Sequence, residues 1–554
     1  MRLRAFTSIA LITSALALIS ASPAAATDYC VGAVLGGCSG SAEPMTRVGL
    51  QNAIESAHNV TAQDNRVLIG PGTIYLSTDG VIVAPTGAHT LSIVGSGLGA
   101  TTIAKGAYGS SAPGMPSIGI SSYAIGAAPP VISDVTLTGS TSTLSEIVLD
   151  VHAGLTLNRV RVAASAGAGD EFHYGIQAVG AAPLIVNNSS IEVSGASVEG
   201  IASAGPTTVQ LTDTRVSALG LAADSQVGAE VLGALIGKRV SFTGLDRSIH
   251  APSSSSVELD DSLVVTSNDP DSTSIWSGAD LKLRGVTLAG TTTDQVGITV
   301  GLGAGVRTAL IEDSVIDLDP AAQQFDCNGT TTMTIKNTLL DLTDFNDAAV
   351  SCGATALMLI DGAIHPPLFV DSAAGNYRPT AASPVVDSGG NDASVPGRTD
   401  LDGNARYLDG NGDGTAIIDL GAYEYQPVGG TPPGPPIGAG TPAATPLTIK
   451  FGKAVGKFKI AKKRPKGFAL TTAKKKPRLP IHLNVAGTIV ITLAKNKGKT
   501  LKGSQTFSLP AGDSYLKFTG KWNKKKLAAG KYVVSAAPAK QPRDITKSPL
   551  KLAL

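Results

Sequence analysis

An apolar strand, a polar break and a second apolar strand recur along the middle of this chain, as in LTLNRVRV, LIVNNSSIEV, VELDDSLVV, LIEDSVIDL and TIKNTLLDL. The first apolar residue after each break is Val135, Val160, Ile191, Val216, Val240, Leu263, Val286, Val315, Leu339 and Ala363, at intervals of 25, 31, 25, 24, 23, 23, 29, 24 and 24 residues. Such a period marks a solenoid, whose repeats cannot bury their apolar faces alone and must stack. Alternation within Val- and Ile-rich segments predicts strands. A leucine-rich repeat has a similar period, but its Leu-heavy consensus is missing and the segments between strands are rich in Ser, Thr and Gly. The pattern therefore predicts an all-β chain built on a parallel β-helix, with Val160, Val216 and Val286 in one buried file.

Two residues before each marker stand Ser133, Asn158, Ser189, Thr214, Lys238, Asp261, Arg284, Asp313, Asn337 and Asp361, all polar. With coils stacked about 4.8 Å apart, Lys238, Asp261, Arg284 and Asp313 would alternate in sign along one edge. They are expected to satisfy one another in a turn ladder, which removes them from the catalytic candidates. Cys327 and Cys352 are 25 positions apart, so one coil lies between them and a disulfide across adjacent coils is expected. The required Cα separation is roughly 4.4 to 6.8 Å. Cys30 and Cys38 would close a small loop near the start. A zinc site is disfavoured, because neither pair has the CxxC spacing and no histidine lies close to either in sequence.

Before the repeats, TRVGLQNAIESAH carries Thr46 as a helix N-cap with Leu50, Ala53, Ile54 and Ala57 at helical spacing, followed by VLIGPGTIYL at 67–76. This resembles the opening of pectin-lyase-like right-handed β-helix proteins, in which a short helix plugs the first coil. After the repeats, PLFVDSAAGNYRPTAASPVVDSGG (367–390), DLDGNAR (400–406) and DLGAYEY (419–425) resemble the tail of the choice-of-anchor Q proteins, secreted bacterial β-helix proteins. The resemblance covers about 46–426 and implies fold and export, with 367–425 as a closing region. It supplies no catalytic residues. Within the tail, Asp409, Asn411, Asp413, Gly414 and the Thr415 carbonyl match the first half of an oxygen-rich calcium loop, with Asp419 as a further acid. The twelfth position is Leu420, which departs from the EF-hand pattern. A structural Ca²⁺ clasp is expected there, against the alternative of a solvated Asn/Asp/Gly turn.

The ends of the chain differ in character from the body. Arg2 and Arg4, an apolar run to Ile19 and Ala24–Ala26 have the order of a secretory signal peptide, which puts the mature start near Thr27. That run is too short and too rich in Ser and Thr to be read as a membrane span. Residues 426–446 form a Pro/Gly linker. Beyond it, 447–554 read as a small antiparallel β-sandwich of alternating segments such as GTIVITLAK and GKYVVSAAP. The net charge of +1 conceals a division: residues 446–554 hold 26 Lys+Arg and 2 acids, giving +24, so the remainder holds 18 and 41, giving −23. Such a module should adhere to anionic polymers. With few aromatic rings to stack on bases, specific nucleic-acid readout is not expected.

These features lead to a secreted, surface-associated monomer, with a structural, adhesive or polysaccharide-binding role and a basic module that contacts anionic envelope polymers. The alternative is a polysaccharide lyase or glycoside hydrolase. Pectin-lyase-like folds host both, and the NTD, GHG and RIK hydrolase motifs are absent. Asp260 and Asp261 face opposite ways if they lie on a strand. The long interval AGAGDEFHYG supplies Asp170, Glu171 and His173 as loop candidates for acid/base work, against the reading of a solvated loop.

Overall fold

From Asp134 onward one residue in each coil takes a left-handed backbone: Asp134, Arg159, Asn188, Asp213, Arg239, Asp261, Gly285, Asp313, Asn337 and Met358, with φ between 43° and 64°. Six of these ten are Asp or Asn, the non-glycine types that best tolerate this region. The bend lets a continuous segment such as Leu155–Ser165 turn from one face of the solenoid to the next while pairing with Val131–Thr138 on both sides of Arg159. The structure is a computed structural model that describes most of residues 27–427 and the strands between 449 and 553. Residues 1–26, 428–448 and several loops lie outside the described residues, as do the signal peptide and most of the linker expected there.

The body is a right-handed parallel β-helix. Nineteen strands form the bent sheet on either side of the left-handed residues, and ten more, from Val81–Val83 to Gln323–Cys327, form the remaining face. A file of stacked residues, Leu137, Val162, Ile191, Val216, Phe242, Val264, Leu288 and Ile316, runs through one core. Val160 and Val286 belong to the same core two positions earlier in their coils. The helix Arg47–His58 closes the start, with the Thr46 hydroxyl accepting from Gly49 N at 3.1 Å and Leu50, Ala53, Ile54 and Ala57 in the core. Strand Thr27–Val31 covers the edge of Asn65–Ile69. Both disulfides form as anticipated, with Cα separations of 5.7 Å for Cys30–Cys38 and 5.2 Å for Cys327–Cys352. No helix among the described residues is long and apolar enough to cross a membrane.

The turn ladder exists, but its register is displaced. Lys238 pairs with Asp260, Asp260 with Arg284, Arg284 with Glu312 and Glu312 with Lys336, an alternation of sign that uses the residues before the bend. Asp261 and Asp313 occupy the bends themselves and are buried. Leu263, Val315 and Leu339 likewise do not join the file of Val160; they point out of the solenoid, and Ala363 is exposed beyond the last full coil. The reason is that the bend adds one residue to the count, so the residue immediately after it faces in and the next faces out.

What covers those outward positions is the tail. Phe369–Asp371 and Asn376–Pro379 form a short antiparallel pair, and the rest is irregular. Tyr377, Ala422 and Tyr423 pack on Leu263 and Ala289; Val385 and Leu420 pack on Val315 and Leu339. Two arginines of the tail reach the bends. Arg398 Nε lies 3.0 Å from both Asp261 oxygens, and Arg406 Nε lies 3.3 Å from Asp261 Oδ1. Arg406 is fully buried and also donates to the carbonyls of Asp419 at 3.2 Å and Gly421 at 2.8 Å. Gly285 leaves the space they need: a Cβ there would stand 2.5 Å from Arg398 Nη2 and 2.8 Å from Arg406 Nη2. Asp313 receives the Gly390 N–H at 2.6 Å.

Around these two guanidiniums are Asp261, Asp313, Asp400, Asp419 and Glu424, all buried. Burial pushes Glu424 up to about 10, with the Asp419 charge adding to it, and pushes Asp419 up to about 6. Glu424 is therefore protonated at neutral pH, which brings the cluster nearer to balance.

The second unit, 441–554, holds two small sheets of four and five strands, antiparallel except where Phe458–Lys459 meets Thr546–Ala553. Ile481, Ile491 and Val534 are fully buried within it.

Arg406→Leu leaves buried carboxylates without their cation, and should cost about 3–5 kcal/mol in chemical denaturation while opening residues 364–425 to proteolysis. From the ordinary 4.5 to about 10, folded Glu424 holds a proton that the unfolded chain releases. Its contribution to stability is full below that window and is lost as pH rises through it. Glu424→Gln, which cannot ionise, should therefore flatten the fall in melting temperature between pH 7 and pH 10.

Candidate functional site

The ten-stranded face differs from the other two in how its side chains alternate. The register runs unchanged past Gly175, Gly200 and Gly228, and a Cβ on each would meet core side chains: Val162, Ile191 and Phe242 respectively. The following residues Ile176, Ile201 and Ala229 also face the core. Two successive inward positions leave two outward files flanking them. One runs Tyr174, Glu199, Val227, Arg247 and Thr273; the other runs Gln177, Ala202, Glu230, His250 and Trp276. Glu199 and Glu230 therefore sit on adjacent coils, at opposite corners of a quadrilateral completed by Ala202 and Val227. Neither of those two carries a polar group.

The environment drives the two carboxyls apart. Burial raises Glu199 to about 7, the Glu230 charge adds to the shift, and Arg247 opposes it. Glu230 is lowered, first by its hydrogen bond to His250, whose Nδ1 lies 3.1 Å from Oε2, and then by the charges of His250 and Arg247 acting against burial. Tyr174 is raised by burial and then by both glutamates, which places its phenol beside them. The His250 ring packs on Trp276 with centroids 4.7 Å apart and planes tilted by 53°. The arrangement puts a carboxyl that keeps its proton near neutrality one coil away from one that has lost it, the division of labour that acid/base chemistry requires.

The loop candidates fare differently. Asp170 and Glu171 lie outside the described residues. His173 is not on a loop: it opens the strand His173–Ala178, paired between Glu146 and Val198, and is only 3% exposed. That burial removes it from the candidate surface residues. Asp260 and Asp261 do face apart. Asp260 holds Arg284 through two bonds of 3.0 and 2.7 Å, while Asp261 holds the tail.

Asp409, Asn411 and Asp413 come together in one exposed turn, but their oxygens are taken by backbone N–H groups. Asp409 accepts from Gly412, Asp413 and Gly414, Asn411 from Asp413, and Asp413 from Thr415, at 2.7 to 3.0 Å. Asp419 is directed elsewhere, accepting from Asp387 N at 2.8 Å and Tyr425 N at 2.5 Å. Among the described residues no three His, Cys, Asp or Glu side chains stand together as a metal-binding group. The geometry is that of an Asx turn, in which backbone N–H groups already hold these side-chain oxygens.

The polar breaks that mark the repeat in the sequence follow the bent sheet, so they do not point to Glu199, Glu230, Arg247, His250 and Trp276 on the ten-stranded face. The signal was available in VEGIAS, VGAEV, RSIHA and TSIW, where charged or ring side chains interrupt strands otherwise made of small and apolar residues.

No family model matches the sequence, and no curated protein matches it. Among solved structures, it is similar to the pectate lyase Pel9A, at 10% identity over 73% of this chain and 97% of that one, with a TM-score of 0.43. It is also similar to the A-module of the mannuronan C-5 epimerase AlgE6 of Azotobacter vinelandii, at 14% identity over 56% and 91%, with a TM-score of 0.33.

Because folded Glu199 gives up its proton only near 7, its stabilising contribution is full below the ordinary 4.5 and lost as pH rises through about 7. Glu199→Gln should therefore raise the melting temperature at pH 8 and leave it unchanged at pH 4, as read by scanning calorimetry.

Proposed function

We propose that this is a secreted polysaccharide-acting protein whose ten-stranded face binds a glycan chain and cleaves it with Glu199 as general acid and Glu230 as base. The observation that carries the reading is the opposed displacement of the two carboxyls on adjacent coils, one raised to about 7 and the other lowered. In glycoside hydrolysis one carboxylic acid protonates the leaving oxygen and a second, ionised, activates the attacking water. Here Glu199 would hold the first proton, and Glu230, kept ionised by His250 and Arg247, would accept the second. Tyr174 and Trp276 flank the pair and offer ring surface to a sugar. A long parallel face of this kind suits a polymer, since successive coils extend it along one axis.

A second reading rests on the +24 carried by 446–554: the body is a passive binding surface, held at the cell envelope by electrostatic contact between the basic module and anionic polymers. The two readings can be separated by one experiment. The full chain is incubated with neutral and uronic polysaccharides and new reducing ends are measured. The first reading expects turnover with a bell-shaped pH profile whose alkaline limb lies near 7, reduced at least about a hundredfold by Glu199→Gln or Glu230→Gln. Retention on the polymer without new chain ends in the wild type would leave the binding reading alone.

A further inference from the structure

A cleft of about 430 Å³ opens where the tail meets the outward face of the bent sheet. Its floor follows from the register. Outward residues on successive coils run Thr136, Arg161, Ser190, Arg215, Ser241 and Leu263, and the tail begins to cover them at Leu263. Ser241 and Thr243 therefore present hydroxyls beside the apolar surface of Leu263 and Val265, while Tyr377, Tyr423 and Leu401 form the tail-side wall. One face of the Tyr423 ring is already occupied by Arg378, 4.7 Å from its centroid.

The charges around this cleft are matched with a single exception. Arg239 holds Asp213 at 2.6 and 2.8 Å, Arg378 holds Asp402 at 2.5 Å through two nitrogens, and Arg161, further along the file, holds Glu192. Arg215 is exposed and has no ion-pair partner among the described residues. Its guanidinium stands close enough to Tyr423 to oppose the upward shift of that phenol. An arginine left unmatched in a concave site, beside paired acids that cannot approach it without abandoning their own partners, presents a planar fork to a carboxylate.

We infer that this cleft is a second ligand site, which takes a carboxylate-bearing pyranose of a uronic oligosaccharide, with Arg215 on the carboxylate. A pyranose matches the remaining lining: its axial C–H surface suits Leu263, Val265 and the tyrosine wall, and its hydroxyl edge suits Ser241 and Thr243. The volume is within the range of small-molecule sites, roughly 300 to 1,000 Å³. The site lies on a different sheet from Glu199 and Glu230 and does not depend on their chemistry.

The test is calorimetric titration of the full chain with digalacturonate and with its methyl ester, at ~0.15 M ionic strength so that surface attraction is screened within about 8 Å. The basic module contributes equally to wild type and variant, so the difference between them is the readout. Arg215→Gln removes a charge-assisted bond from an exposed side chain with no internal partner, and should weaken digalacturonate binding about tenfold or more with the melting temperature unchanged. The same loss should recur when Arg215→Gln is placed in the Glu199→Gln background, which separates this cleft from the ten-stranded face. Equal titration of wild type and Arg215→Gln, an ester that binds as tightly as the acid, or no binding by the wild type would each overturn the inference.

Discussion

The structure depends on the registration of one coil upon the next through a single left-handed residue per turn. Backbone pairing alone would allow a strand to slip, and a slip by one residue exchanges the buried and exposed faces. The bend prevents this, because only a residue that tolerates positive φ can occupy it, and those residues stack. Asp134 with Arg159 and Asp213 with Arg239 then join neighbouring bends through paired hydrogen bonds of 2.6 to 2.8 Å. Such half-exposed pairs contribute little individually. Their importance is positional, since they fix which side chains the bends present to whatever packs over them.

Over the last coils the bends serve the tail. Isolated carboxylates at buried bends would be costly, and the tail provides the missing cations, Arg398 and Arg406, at the place where Gly285 interrupts the row of side chains. The apolar contacts to Leu263, Val315 and Leu339 lie beside this polar cluster, so hydrophobic burial and charge matching reinforce the same docked position. The cleft at Arg215 is the boundary of that docking: it lies just where the tail's cover ends.

The solenoid could be read from the sequence because its two causes, periodic apolar pairs and a period near 24, are both written locally. The Cys327–Cys352 disulfide followed from that period, and the helix plug from its cap and apolar spacing. The facing of individual residues was less legible. Asp261 and Asp313 belong to a turn whose extra residue shifts the count, and nothing local distinguishes them from Asp260 and Glu312. Leu263, Val315 and Leu339 look like core residues and are buried, but in a second interface that exists only once the tail has returned over the coils. The glutamate pair was hidden for a related reason. Glu199 and Glu230 are 31 residues apart, and only the pairing of Val198–Ser203 with Gln226–Glu230 brings them to adjacent coils.

The gap at Gly285 also bears on how such a chain can change length. Coils upstream of Asp213 meet the tail at no bend described above, so turns could be gained or lost there with the closing segment still finding Asp261, the gap and Asp313 in order. An added turn between Asp261 and Asp313 would instead separate the notch from its two acidic neighbours, leaving the arginines nowhere to lodge. Growth of this ribbon is thus permitted at one end and forbidden at the other by an absent side chain.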